Sequence, residues 1–185
     1  MRLNSVVQLI LTACMSLASP AHADDAFADA KSGFVFPRTL AGLGYENRRE
    51  YGDPRLGYGV NYRGEGIFVT VIVYDLGEQS IGDGIDDARV RQQMRQAQAD
   101  VAEAVRRGDY REAIADGEAK QYSPLFLQAS YRILAKNGAQ YRSYIFVRGQ
   151  KRHFIKVRAT GLTTSLVDAS MAAMLDQLAV VIGTR

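Results

Sequence analysis

Residues 57–75 read GYGVNYRGEGIFVTVIVYD, and this stretch decides the fold class. Gly57 to Arg63 alternates as a strand, Gly64-Glu65-Gly66 turns the chain, and Ile67 to Asp75 runs back. Side chains alternate across a strand, so Ile67, Val69, Val71 and Val73 point one way and Phe68, Thr70, Ile72 and Tyr74 the other. Both sets are largely apolar, which predicts a central strand covered on both faces.

Outward from this hairpin the pattern repeats. Upstream, Gly33 to Pro37 reads as a short edge strand ended by Pro37, which has no N–H for a ladder. Tyr45 to Tyr51 is a polar strand, and residues 24–32 are small, polar and expected as a mobile lead-in. Downstream, Leu76 to Ile85 is a glycine-rich loop, and Asp86 or Asp87 caps a helix that runs to about Arg107 and stops at Gly108. Val90, Met94, Ala97, Val101 and Val105 form its apolar stripe. A second short helix is expected over Tyr110 to Asp116.

Two more hairpins follow. Leu125 to Leu134 turns through Asn137-Gly138, a strong hairpin signal, into Ala139 to Val147. Gly149-Gln150-Lys151 then turns into His153 to Thr160. Ser165, with Asp168 three residues on, opens a closing helix through Ile182, stopped at Gly183. Short turns force antiparallel pairing. The expected fold is therefore α+β: an antiparallel sheet flanked by helices on both faces, a three-layer sandwich in one domain over 33–185.

In element order this layout resembles the Mog1/PsbP-like α/β/α sandwich, through Gly33 to Pro37, Gly66 to Gly77, Tyr141 to Gly161 and the closing helix. The resemblance implies that fold and a non-catalytic adaptor or accessory role. It carries no individual functional residue.

Residues 1–23 have the order of a secretory signal peptide. Arg2 is followed by a mostly apolar run from Val6 to Ala18, then Ala21-His22-Ala23 as a small-x-small exit. About 13 apolar residues are too few to span roughly 30 Å of hydrocarbon. Cleavage after Ala23 predicts a periplasmic or secreted protein without cysteine, since the one cysteine is Cys14. Leu11-Thr12-Ala13-Cys14 also matches a lipobox, which would make an envelope lipoprotein anchored through Cys14. The rest of the chain is long enough to form a core without a metal or disulfide.

A net charge of +3 and a pI near 9.0 fall short of the strong basic excess of a nucleic-acid binder. They leave another envelope protein or an anionic envelope component as the expected partner. Catalytic signals are weak. His153 is the one histidine after the leader and stands at a turn among cations in Lys151-Arg152-His153. One histidine and no cysteine leave little for zinc. Glu78, Asp83, Asp86 and Asp87 lack the spacing of a calcium loop and suit a helix N-terminus instead. No cofactor or metal site is expected, and the glycine triplets 64–66 and 82–84 lack the ending of a phosphate loop.

One constellation remains. Lys156 and Arg158 share a face of the last strand, Arg142 and Arg148 alternate with Tyr144 and Phe146 on the strand before, and Arg132 lies on the strand before that. Where those faces coincide, Arg132, Arg142, Tyr144, Arg148, Lys156 and Arg158 form a basic-aromatic patch suited to carboxylate or phosphate. The expected function is a non-enzymatic binding or accessory protein. The competing reading is a small hydrolase using loop carboxylates, such as Asp75 with Glu78 or Asp83.

Overall fold

In the computed structural model, residues 25–64, 66–163 and 167–184 are described, so the leader, Cys14 and the capping residue Ser165 lie outside the described residues. In chain order the strands are β1 (Asp25–Asp29), β2 (Phe34–Pro37), β3 (Thr39–Leu40), β4 (Leu43–Glu50), β5 (Tyr58–Gly64) and β6 (Ile67–Tyr74). Helix α1 (Ala88–Arg106) precedes β7 (Glu112–Ala115), β8 (Lys120–Ser123), β9 (Phe126–Leu134), β10 (Gln140–Gln150) and β11 (His153–Leu162), and α2 (Val167–Val181) closes the chain. β1 and β2 pair with each other, and the other strands form one nine-stranded antiparallel sheet in the order β3-β4-β5-β6-β11-β10-β9-β7, with β8 also on β9. β11 inserts between the two hairpin groups, with Val71 opposite Val157 and Val157 opposite Phe146.

Two apolar clusters hold the sheet. On one face Val69, Val71, Val73, Phe146, Ile155 and Val157 pack with Phe34 and Phe36 of β2 and with Met171, Met174 and Leu178 of α2. On the other, Val90, Met94, Ala97 and Val101 of α1 pack on Ala129, Tyr131, Ile145 and Val147. Asp87 caps α1 by accepting from the Arg89 amide at 2.7 Å. The buried stripe ends on Ala104 where the sequence suggests Val105. No described helix is long and apolar enough to cross a membrane.

The three-layer α+β sandwich with helices on both faces is overturned. The chain is mostly β, with eleven strands among the described residues against two helices of 19 and 15 residues. α1 lies against β7, β9 and β10, and α2 against β11 and the small strands β2 and β3, so neither helix makes a layer. Covering a nine-stranded sheet takes more than one helix per face, and part of the α2 side is filled instead by the β1–β2 hairpin. On the other side Phe68, Thr70 and Ile72 stay half-buried, so the central strand is fully covered on one face only.

Three local readings change with it. The lead-in 24–32 carries β1, because Phe27 reaches the rings of Phe36 and Tyr58 at 6.1 and 5.3 Å and draws its strand into pairing. Residues 110–116, expected as a helix, contain β7, which takes its hydrogen bonds from β9. Tertiary pairing overrides the local preference there. The turn expected at 149–151 is displaced: β10 runs through Gln150, and Lys151 and Arg152 form a two-residue turn with φ of 48° and 63°. Such a turn needs positive φ at both central residues. The loop 75–87 supports it, since the Asp83 carboxylate accepts from the Lys151 amide and Arg152 Nε donates to the Gln79 carbonyl.

Candidate functional site

Strand register separates the basic patch expected from sequence. Arg142 faces Arg132 across β9–β10 and Gly161 across β10–β11, so Arg132, Arg142, Tyr144 and Arg148 lie on the α2 side of the sheet. Lys156 and Arg158 sit opposite Val147 and Ile145, on the α1 side. The six residues therefore form two sites and not one.

On the α2 side much of the charge is already answered. Arg132 Nε donates to Asp116 at 3.1 Å and Arg142 Nη2 reaches the same carboxylate at 3.6 Å. Tyr144 is buried and stacks on Phe146 with ring centres 6.0 Å apart. Arg148 is 4% exposed, stands over Phe126, and donates to Gln150 Oε1 at 2.8 Å. Burial pulls its guanidinium below the usual value, against the attraction of Asp83. Its Nη1 has no hydrogen-bond partner among the described residues.

The α1 side is more open. Phe68, Thr70 and Ile72 of β6 stand beside Thr160, Arg158 and Lys156 of β11 and beside Arg63, Asn61 and Gly59 of β5. These rows form a floor that α1 does not cover. Two neighbouring clefts run along it: one of about 500 Å³ lined by Phe68, Thr70, Tyr110, Tyr141, Arg158 and Thr160, and one of about 590 Å³ lined by Tyr51, Ile72, Gln93, Gln96, Asp100 and Lys156. The Thr70–Arg158 row borders the Ile72–Lys156 row, so the two clefts lie next to each other on one strip of the sheet, a groove beside α1.

The groove is polar in a fixed way. Thr70 Oγ1 donates to Asn61 Oδ1 at 2.7 Å, and Asn61 Nδ2 donates to Asn47 Oδ1 at 2.7 Å. Arg158 Nη2 donates to the Tyr110 hydroxyl at 2.8 Å. Tyr74 donates its hydroxyl hydrogen to Gln93 Oε1 at 3.0 Å, tying the floor to the α1 wall. Gly59 makes room for Tyr51: a Cβ there would stand 2.9 Å from the Tyr51 hydroxyl oxygen.

Two cations face this space without a carboxylate of their own. No ion pair of Lys156 or Arg158 exists among the described residues. Burial pushes the Lys156 ammonium down from its usual value, while Asp100 across the groove counteracts it. Lys156 also stands 5.4 Å from the Tyr74 ring centre. Arg158 is held by the Tyr110 hydroxyl and Lys156 by the Tyr74 ring and the more distant Asp100, so among the described residues each half-buried cation still lacks an ion pair that an incoming anion would supply.

The loop carboxylates do not converge. Asp75 accepts from the Gly77 amide and faces Lys31 at 3.8 Å, Glu78 faces Arg89, and Asp83 accepts from Lys151. A cleft of about 260 Å³ does bring Asp75 together with Asp29, Glu50 and His153. There the Asp29 carboxylate accepts from Ser32, from the Lys31 amide and from the Tyr58 hydroxyl. Burial works to raise this carboxyl, and the hydrogen bonds led by Ser32 outweigh it and hold it below its ordinary value. Glu50 is paired with Arg48, and His153 Nδ1 bonds the Lys151 carbonyl at 2.7 Å. These bonds secure the β1–β2 turn and the 151–152 turn. Among the described residues no group of three or more His, Cys, Asp or Glu is placed to hold a metal ion.

Comparison of the chain with known protein families, curated proteins and solved structures found no match in any of the three, which neither supports nor opposes the Mog1/PsbP-like resemblance. The groove residues Tyr51, Asn61, Thr70, Tyr110 and Tyr141 escape a reading by charge alone. Thr70, the one aliphatic hydroxyl in the run 67–74, is the signal that marks the floor.

Proposed function

We propose that the protein is an exported, non-enzymatic binding or accessory module of the cell envelope that holds an anionic component in the groove beside α1. One observation carries the reading: Lys156 and Arg158 stand side by side, half-buried, with no carboxylate partner among the described residues. Guanidinium and ammonium groups placed this way match carboxylate or phosphate, and a concave surface with a few converging polar groups is the usual form of a ligand site. The partly neutralised Arg132 and Arg142 serve as an internal control.

The test captures anionic material from envelope extract on immobilised protein. The Lys156→Glu/Arg158→Glu variant is expected to lose most of it, and Arg132→Glu/Arg142→Glu to retain it, each variant first shown to melt cooperatively. Equal capture by the wild type and the Lys156→Glu/Arg158→Glu variant removes the groove from the argument.

Export is a separate part of the same proposal and has its own measurement. The mass of the N-terminal peptide of the protein recovered from cells is expected to begin at Asp24. A lipidated Cys14 at the N-terminus makes it an envelope lipoprotein, and a retained Met1 ends the export reading.

A further inference from the structure

We infer that the ligand of this groove is a linear acidic oligosaccharide, with an acid group seated on Lys156 and Arg158 and sugar rings laid against Tyr51 at one end and Tyr110 and Tyr141 at the other. The inference rests on the groove being the binding surface and goes further by naming what fills it.

The shape supports a linear ligand. The floor follows β6 from Ile67 to Tyr74, about 25 Å at roughly 3.3 Å per residue. The cations occupy its middle rows, opposite Ile72 and Thr70. Tyr51 stands over the Gly59–Ile72 row in the cleft of Lys156, while Tyr110 and Tyr141 border the cleft of Arg158 and Thr160, so each cation has aromatic rings beside it. All three rings are half-buried, each leaving part of its surface to solvent.

The chemistry favours sugar over other anions. A sugar presents apolar C–H faces that stack on rings, and hydroxyls that bond planar amides and hydroxyl groups. The groove supplies both: Gln93 and Gln96 on the α1 wall, Thr70 and Thr160 on the floor. An extended peptide would dock by adding to a sheet edge, but β5, β6 and β11 are paired on both sides. Lipid chains ask for an enclosed apolar cavity, whereas these clefts are open, and Asn61, Thr70, Lys156, Arg158 and Thr160 stand on the floor among the apolar Phe68 and Ile72. Nucleic acid takes a run of cations along its phosphates, and the groove offers two without a carboxylate partner among the described residues.

The experiment measures binding of four probes to the full-length mature protein by calorimetry: a tetramer of uronic acid, the same tetramer with its carboxyls reduced to alcohols, inorganic phosphate, and phosphatidylglycerol vesicles. The uronate tetramer is expected to bind at least tenfold more tightly than its neutral counterpart. Tyr51→Ala and Tyr141→Ala are each expected to weaken it about tenfold, and Lys156→Glu/Arg158→Glu to abolish it. Binding of phosphate or vesicles through Lys156 and Arg158, with no saccharide binding and no effect of Tyr51→Ala, overturns the saccharide and leaves the anion groove standing. No binding of any probe that depends on Lys156 and Arg158 overturns both.

Discussion

Truncation of Phe146 to alanine is expected to lower the unfolding free energy by about 3–5 kcal/mol, the range for emptying an aromatic site in a core. Phe146 is fully buried at the centre of β10, opposite Gln128 on β9 and Val157 on β11. Its ring meets Tyr122 and Phe126 edge-on at 5.5 and 6.3 Å and lies parallel to Tyr144 at 6.0 Å. The neighbours belong to paired strands, so they have little freedom to close the space. A domain of this size is stable by about 5–15 kcal/mol, and the loss takes a large part of that. Urea unfolding should show the midpoint falling with an unchanged slope. Phe146→Leu, which keeps much of the volume, should cost less than about 1.5 kcal/mol. If the alanine variant loses under 1 kcal/mol, the α2-side cluster is not the principal core.

How far the sequence reveals this molecule depends on which interactions decide each part. Strands β5, β6, β9, β10 and β11 and helix α1 are legible because their patterns are local and strong: an almost unbroken apolar run in β6, alternation in β9, and a three-four stripe from Val90 to Val101. β1, β7 and β8 are short, four or five residues each, and their strand character comes from the strand each pairs with, β2 or β9, and not from an alternation of their own. The same limit governs the site. Alternation within β10 and β11 places Arg142, Tyr144 and Arg148 on one face, and Lys156 and Arg158 on one face. Whether those two faces coincide depends on the turn between them. Moving that turn from 149–151 to Lys151-Arg152 aligns Gln150 with His153 and sends the two sets to opposite sides. A small change of turn residues thus splits one imagined patch into two sites. The half-open face of β6 was illegible for a different reason: Phe68 and Ile72 look like core, and only the placement of α1 over β9 and β10 leaves them half-buried beside a groove.

That placement of α1 is tested by Gly149→Ala, expected to cost about 2–4 kcal/mol from overpacking and a weakened helix cap. Gly149 is needed for closeness and not for backbone freedom. A Cβ there would lie 1.9 Å from the Gly82 carbonyl oxygen and 3.2 Å from the Ile81 side chain, a clash with main chain that no rotamer relieves. The loop 75–87 is bound at this point by two 2.8 Å hydrogen bonds between Gly84 and Gly149. Pushing it outward disturbs Asp83, which holds the positive-φ turn at Lys151, and Asp87, which accepts from the Gly82 and Arg89 amides to start α1. The first turns of that helix carry Gln93 and Gln96, the α1 wall of the groove. The variant should therefore lose both stability and uronate binding, the second beyond what its unfolded fraction explains. Gly84→Ala is the discriminating control. Gly84 has φ of 88° but open space where its Cβ would point, so it carries only the strain of a left-handed residue, about 1–2 kcal/mol. A larger loss at Gly84 than at Gly149 would mean that backbone conformation, and not the close approach of loop to strand, sets α1 beside its groove.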